Sequence, residues 1–306
     1  MTGTPERRLL LVHAHPDDET IGTGVLMARQ VDAGDQVTLV TCTAGEMGEV
    51  LVPEWEHLAA DRDDTLGEHR KEELAAAMKV LGVTDHRFLG GFGTYRDSGM
   101  KWHTEGHAVA ADTVHENAFW NADLTEAADH LVAVIREVRP QVLVTYDEFG
   151  GYGHPDHVQA HRVAMYAQQL AAVPSYRLVL GEPHEIDKVY WSAISESRMR
   201  EGLRALRAAG DTDAFGGMDP EGDFGRWVTP DHLLDARIVG DGLVERKMEA
   251  LRQHRSQVTE DDFFFKGAES GGSHFAEEFF RLAKGRRGPV GEDGLEDDLF
   301  AGLEAR

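Results

Sequence analysis

Four uninterrupted apolar residues, Leu9 to Val12, end at His13. A run without alternating polar positions predicts a strand covered on both faces, as in a parallel sheet. Ile21, Val25 and Ala28 then recur at helical spacing, and the Ala33-Gly34-Asp35 turn leads into a second strand over 36–42. The chain therefore opens with a βαβ unit. Residues from about 61 to 80 predict a long, charged, Ala-rich helix that buries Leu74 and Met78, and a short strand follows near Phe88-Leu89. Leu124, Leu131, Ile135 and Val138 mark another amphipathic helix, Pro140 stops it, and a fourth strand is predicted over Val142 to Tyr146. A fifth strand is expected at Lys188 to Trp191, with later helices over 197–209 and 243–254. This alternation predicts an α/β fold: a Rossmann-like, mostly parallel sheet flanked by helices, with C-terminal additions.

A single domain is expected over 1–306, with its core over about 8–200, a C-terminal extension over about 201–285 and a flexible tail over 286–306. The Asp- and Gly-rich stretch 211–225 reads as a surface loop, with a substrate cover as the alternative. Phe263-Phe264-Phe265, followed by Gly267, Gly271 and Gly272, reads as packing of a C-terminal strand, with a hinged lid over 263–272 as the alternative.

Composition narrows the partners. With 31 Lys+Arg against 55 Asp+Glu, the formal net charge is −24, which argues against nucleic-acid binding through a basic face. Hydrophobic residues make up 41% and charged ones 28%, the balance of a soluble globular protein. Neither a membrane-spanning run nor a cleavable leader is evident, so no membrane partner is expected. The lone Cys42 sits in an apolar run and forms no internal disulfide, in keeping with a cytoplasmic location. The oligomeric state stays open.

His-Pro-Asp occurs twice, at His15-Pro16-Asp17 after the first strand and at His154-Pro155-Asp156 after the fourth. With 16 His and 10 Pro among 306 residues, chance supplies about half a His-Pro pair of any kind. Both copies lie on strand-to-helix turns, and in a doubly wound sheet the first and fourth strands are neighbours at the topological switch point. The two motifs should meet. Two imidazoles and a carboxylate suit a catalytic zinc with one open position, and His15, Asp18 and His157 fit that set. Asp17 is then free to act as general base toward water on the ion. His154 and Tyr152 could stabilise an oxyanion, and Asp156 could orient an imidazole. The bland alternative makes Asp17 or Asp18 a helix cap and leaves Tyr152 and His154 lining a polar loop.

At these residues the sequence resembles the LmbE-like or PIG-L family of metal-dependent N-deacetylases, whose signatures AHPDDE and HPDH are both intact. Thr41 to Glu46, Arg96 to Met100, and Tyr146-Asp147 leading to Gly150-Gly151-Tyr152 look like the actinobacterial branch that deacetylates N-acetylglucosaminyl inositol in mycothiol synthesis. Resemblance spans roughly 8–200, with echoes near 247–258. It implies zinc on His15, Asp18 and His157, one ion per chain, with Fe2+ also compatible. It further implies Asp17 as base, His154 with Tyr152 at the oxyanion, and Glu49, Arg70, Asp97 and Met100 near the sugar or inositol. Taken alone, Arg70 reads as a solvated helix cation and Glu49 as a loop acid. Gly22 departs from the pattern by offering a substrate no side chain. The sibling mycothiol S-conjugate amidase is an alternative, but its lysine near position 22 and proline near Gly153 are both missing.

The reaction expected is hydrolysis of an N-acetyl amino sugar, a small-molecule substrate, to acetate and a free amine. Two other classes compete. The same ligand types form the facial triad of iron(II) oxygenases, usually on all-β barrels rather than on a βα alternation. A nucleotide-binding module would need a G-x-G-x-x-G after the first strand, where this chain carries His15-Pro16-Asp17-Asp18.

Overall fold

The chain was described from a computed structural model covering residues 7–240, 242–269 and 276–303. At its centre lies β1 (Arg8–His13), in which Leu9, Leu10, Leu11 and Val12 are wholly buried. Successive side chains leave a strand on opposite faces, so an all-apolar run feeds two cores at once. Leu9 and Leu11 pack with Val25, Leu26 and Met78, whereas Leu10 and Val12 pack with Leu131, Ile135 and Val163.

The other strands are β2 (Gln36–Thr41), β3 (Asp85–Phe88), β4 (Met100–Trp102), β5 (Ala108–Ala110), β6 (Val142–Thr145), β7 (Lys188–Ala193), β8 (Ala236–Val239) and β9 (Glu277–Lys284). Seven of them form one sheet in the order β3-β2-β1-β6-β7-β9-β8. Pairing is parallel from β3 through β7, and β9 runs antiparallel to both neighbours. The α-helices of the described residues are α1 (Asp18–Asp32), α2 (Leu66–Leu81), α3 (Leu124–Val138), α4 (Gly150–Gly153), α5 (Pro155–Ala172), α6 (Glu196–Ala208), α7 (Ala214–Gly217), α8 (Val244–Leu251) and α9 (Phe263–Glu269). α3 and α5 cover one sheet face; α1, α2 and α8 pack together on the other.

The structure adds two features to the expected outline and corrects two expectations. A small antiparallel hairpin, β4–β5, is inserted between β3 and α3. The extension is no mere appendage, because β8 and β9 belong to the main sheet. Phe263, Phe264 and Phe265 begin a helix rather than a strand, and 270–275 lie outside the described residues. The segment expected to be a flexible tail is packed as far as it is described: Glu296 is wholly buried and paired at 2.7 Å with the Lys188 ammonium, and Leu299 and Phe300 join the core. The loop 211–225 is likewise anchored, with Phe215, Met218 and Phe224 packed about Met199 and Leu203.

Candidate active site

β1 and β6 are hydrogen-bonded neighbours, with Leu9, Leu10 and Leu11 opposite Val142, Leu143 and Val144. Their carboxyl ends therefore deliver both His-Pro-Asp turns to one place. The His15 ring lies 4.6 Å from that of His154 and 5.3 Å from that of His157, centroid to centroid. All three imidazoles are buried.

Asp18 Oδ2 sits between two of them, 3.2 Å from His15 Nδ1 and 3.3 Å from His157 Nε2. The same oxygen accepts the His15 backbone N–H at 3.0 Å and the Tyr146 hydroxyl at 2.8 Å. On its far side, His15 Nε2 faces Asp156 Oδ2 at 3.2 Å and Asp97 Oδ1 at 3.6 Å. Asp156 is fully buried and is held by the N–H and hydroxyl of Ser98. His157 Nδ1 lies 3.2 Å from the Gly150 carbonyl, which can only accept, so Nδ1 donates there and Nε2 is the nitrogen turned toward Asp18. That buried Nε2 has no hydrogen-bond partner among the described residues. Ring nitrogens of two buried imidazoles converging on one carboxylate oxygen are a donor set that a divalent cation can complete.

Other donors gather nearby. Ligand atoms of His15, His154 and His157 lie within 4.8 Å of one another, as do those of His15, Asp97 and Asp156, so either set could hold a metal ion. Both include His15.

Asp17 occupies φ 109°, ψ −38°, while its Oδ2 accepts from the Arg70 guanidinium at 2.9 Å. Burial is the main force pushing its carboxyl up to about 6; Arg70 opposes that shift and Asp18 reinforces it. Burial, with His15 and His157 adding repulsion, pulls His154 down to about 2, so its imidazole is neutral. His154 Nδ1 accepts the Asp156 N–H at 3.1 Å, which leaves the ring proton on Nε2. Burial drives the Tyr152 phenol well above its ordinary value, so it stays protonated.

The remaining sequence candidates are spread out. Arg70 is not a solvated cation: it is 3% exposed and bonds the Gly45 and Pro16 carbonyls as well as Asp17. Asp97 stays with the His15 group, 3.6 Å from Nε2, and joins two loops by accepting from Met47 N and Gly99 N. Glu49 and Met100 are exposed, away from the buried imidazoles. Tyr146, Ser98, Glu19 and His254 all lie in stretches that carry the family resemblance, but the sequence reading assigned none of them a role, and only Glu19 lies inside a signature. A cavity of about 480 Å³ adjoins the site, running from Asp17, Asp18, Tyr152 and His157 past Gly22 to Met199, Leu203 and Trp227.

Fold and site together define a class: an α/β enzyme whose carboxyl sheet edge gathers imidazoles and carboxylates able to hold a divalent cation. The chain belongs to the GlcNAc-PI de-N-acetylase family, PIG-L, which it matches over residues 10–168. It is 67% identical over 301 residues to the 1D-myo-inositol 2-acetamido-2-deoxy-alpha-D-glucopyranoside deacetylase of a Nocardioides species, covering 98% of this chain and 100% of that one. The enzyme of the same name from Kribbella flavida is 60% identical, with 99% and 100% covered. Among solved structures, N,N'-diacetylchitobiose deacetylase from Pyrococcus horikoshii shares the fold at a TM-score of 0.58 and 19% identity, over 90% of this chain and 83% of that one.

Proposed function

We propose that this protein is a cytosolic, cation-dependent N-deacetylase that converts N-acetylglucosaminyl inositol to the free amine and acetate, the deacetylation step of mycothiol biosynthesis. The substrate follows the names of the relatives that match nearly the whole chain. The reaction rests on one geometric observation: Asp18 Oδ2 lies between His15 Nδ1 and His157 Nε2, with the Asp17 carboxylate on the adjacent residue.

His15, Asp18 and His157 would hold the ion, zinc or ferrous iron, with Asp156 orienting His15 from behind. The ion supplies a Lewis acid that makes water nucleophilic near neutral pH. Asp17 takes the proton from the attacking water, and with its carboxyl at about 6 it is mostly ionised at pH 7. His154, neutral with its proton on Nε2, and the protonated Tyr152 donate to the oxygen that gains charge as the acetamide carbonyl becomes tetrahedral. The C–N bond then breaks, acetate departs and the nitrogen is protonated. A bell-shaped pH profile that loses one limb in His154→Ala assigns that last proton to His154; an unchanged profile assigns it to Asp17. Asp97, Glu49 and Met100 contact the sugar or inositol, and Arg70 acts through Asp17.

The cavity that runs on to Met199, Leu203 and Trp227 has room beyond the acetyl group for a sugar joined to inositol and equally for a larger amide, which makes the mycothiol conjugate the second substrate to test. The test is amine release by the metal-loaded protein from N-acetylglucosaminyl inositol, N-acetylglucosamine and a mycothiol conjugate. Preference for the first supports the proposal; a preference for the conjugate replaces it with the amidase reading. Asp17→Asn is expected to lower kcat by about 10² to 10⁴ while metal content is kept, and full activity in that variant would remove Asp17 as base.

A further inference from the structure

Asp17 adopts a left-handed backbone conformation, φ 109°, that side chains of L-residues rarely occupy and that persists only where its surroundings over-determine it. Its carbonyl receives the N–H groups of Thr20 and Ile21 at 3.0 and 2.9 Å. Arg70 donates to its Oδ2 and to the Pro16 carbonyl before it. Its own N–H donates at 2.8 Å to Glu19 Oε2.

The other oxygen of Glu19 lies 2.6 Å from Thr20 Oγ1 and 3.0 Å from His254 Nε2. Glu19 and His254 are both wholly buried. His254 is 235 residues downstream, just beyond α8 and outside the stretch 10–168 that matches the family. An ionised carboxylate offers only lone pairs, so His254 donates through Nε2. Its Nδ1 is then a buried atom with no hydrogen-bond partner among the described residues. Packing alone does not call for a histidine here, because an aliphatic side chain would fill the space without leaving an unpartnered ring nitrogen; what the histidine adds is a donor to the buried Glu19 carboxylate. The ring is also firmly carried: the His254 N–H bonds the Leu251 carbonyl at 3.0 Å, and its own carbonyl accepts from Gln257 and Val258.

We propose that His254, acting through Glu19, is a positioning residue that keeps the Asp17 backbone in this conformation, and with it the carboxylate on line with the attacking water. The inference rests on Asp17 being the general base. It also assigns the C-terminal extension a part in the chemistry: one of its histidines closes the network behind the first signature.

The test is steady-state kinetics of the metal-loaded protein with N-acetylglucosaminyl inositol. His254→Leu is expected to lower kcat about 10- to 100-fold with KM and metal content unchanged. His254→Gln, whose amide N–H reaches toward the position of Nε2, should regain most of that loss. His254→Asn, too short to reach Glu19, should not, and this pair carries the test if the leucine variant fails to fold. In an Asp17→Asn background, His254→Leu should cost nothing further, because the group it positions is already disabled. Wild-type kcat in His254→Leu, a glutamine variant no faster than the asparagine one, or losses that multiply in the double variant would each overturn the proposal alone. Full activity in Asp17→Asn would overturn the base assignment and the positioning role together.

Discussion

One oxygen, Asp18 Oδ2, faces the N–H and Nδ1 of His15, Nε2 of His157 and the Tyr146 hydroxyl. Tyr146 fixes it from the sheet: its hydroxyl accepts the Ala14 N–H and donates to Asp18, both at 2.8 Å, while its ring stacks 4.3 Å from that of His157. Tyr146→Phe keeps the stack and frees the carboxylate to turn. Its expected effect is a metal affinity about 10- to 100-fold weaker, measured by competition with a chromogenic chelator, at nearly unchanged secondary structure. Retained affinity would mean that Asp18 needs no such anchor. The ligand-type residues themselves were legible in the sequence because the chemistry concentrates them in two short turns. Tyr146 was not, for it reads as the last residue of an apolar strand, and only pairing of β6 with β1 puts its hydroxyl beside Asp18. Arg70 misleads in the opposite sense, since a charged helix conceals which of its cations faces inward.

Among elements, α1 has an unusual start. Thr23 departs from helical geometry at φ −143°, and beyond it the N–H groups of Val25 and Leu26 donate at 2.8 Å to the two oxygens of Glu278 on β9. Lys247 of α8 meets the same carboxylate at 2.8 Å, and both side chains are buried. The helix that carries Asp18 and Glu19 is thus pinned at its kink by two elements of the extension. Lys247→Met strands the Glu278 charge, and about 3–5 kcal/mol of stability should be lost at neutral pH, read by urea unfolding. Burial, opposed by Lys247, already raises the Glu278 carboxyl above its ordinary 4.5. An acid whose folded-state pKa is raised binds its proton more tightly when folded, so its stability contribution declines as pH climbs through the window above 4.5. Removing Lys247 widens that window, and the variant's deficit should shrink as pH falls toward 4.5. A deficit independent of pH would show that packing, not the stranded charge, is lost. Periodicity could not reveal this contact, because the partners are far apart in sequence and nothing in the run Glu277-Glu278-Phe279-Phe280 tells which acid turns inward. The β4–β5 hairpin escaped for a related reason: three-residue strands, with Met100, Lys101 and Trp102 all exposed, carry no alternation to read.

For the whole molecule, the parallel strands β1, β2 and β6 were legible because strands buried on both faces leave nearly continuous apolar runs. The closing segment was not, because its composition is polar and acidic while its burial is set by partners far away in the sequence. Glu296 accepts from Lys188 Nζ at 2.7 Å and from the Tyr190 hydroxyl at 2.6 Å, and its backbone pairs with Ala236 on β8. Lys188 also donates to the Ala301 carbonyl at 2.8 Å. Deleting 286–306 removes all of these acceptors, leaving an ammonium 1% exposed in the native structure and uncovering the core face under Leu299 and Phe300. A true tail would come off at no cost in stability. Here the unpaired charge alone should cost about 3–5 kcal/mol, before the lost apolar burial is counted. Lys188→Met in the shortened chain should restore part of that loss, since a side chain of similar length without charge needs no partner. Urea unfolding of the full-length, shortened and shortened Lys188→Met proteins separates the two contributions. If the shortened protein unfolds at the same urea concentration as the full chain, the Glu296 pairing does not stabilise the fold; if Lys188→Met restores nothing, the loss lies in the aromatic and aliphatic burial alone.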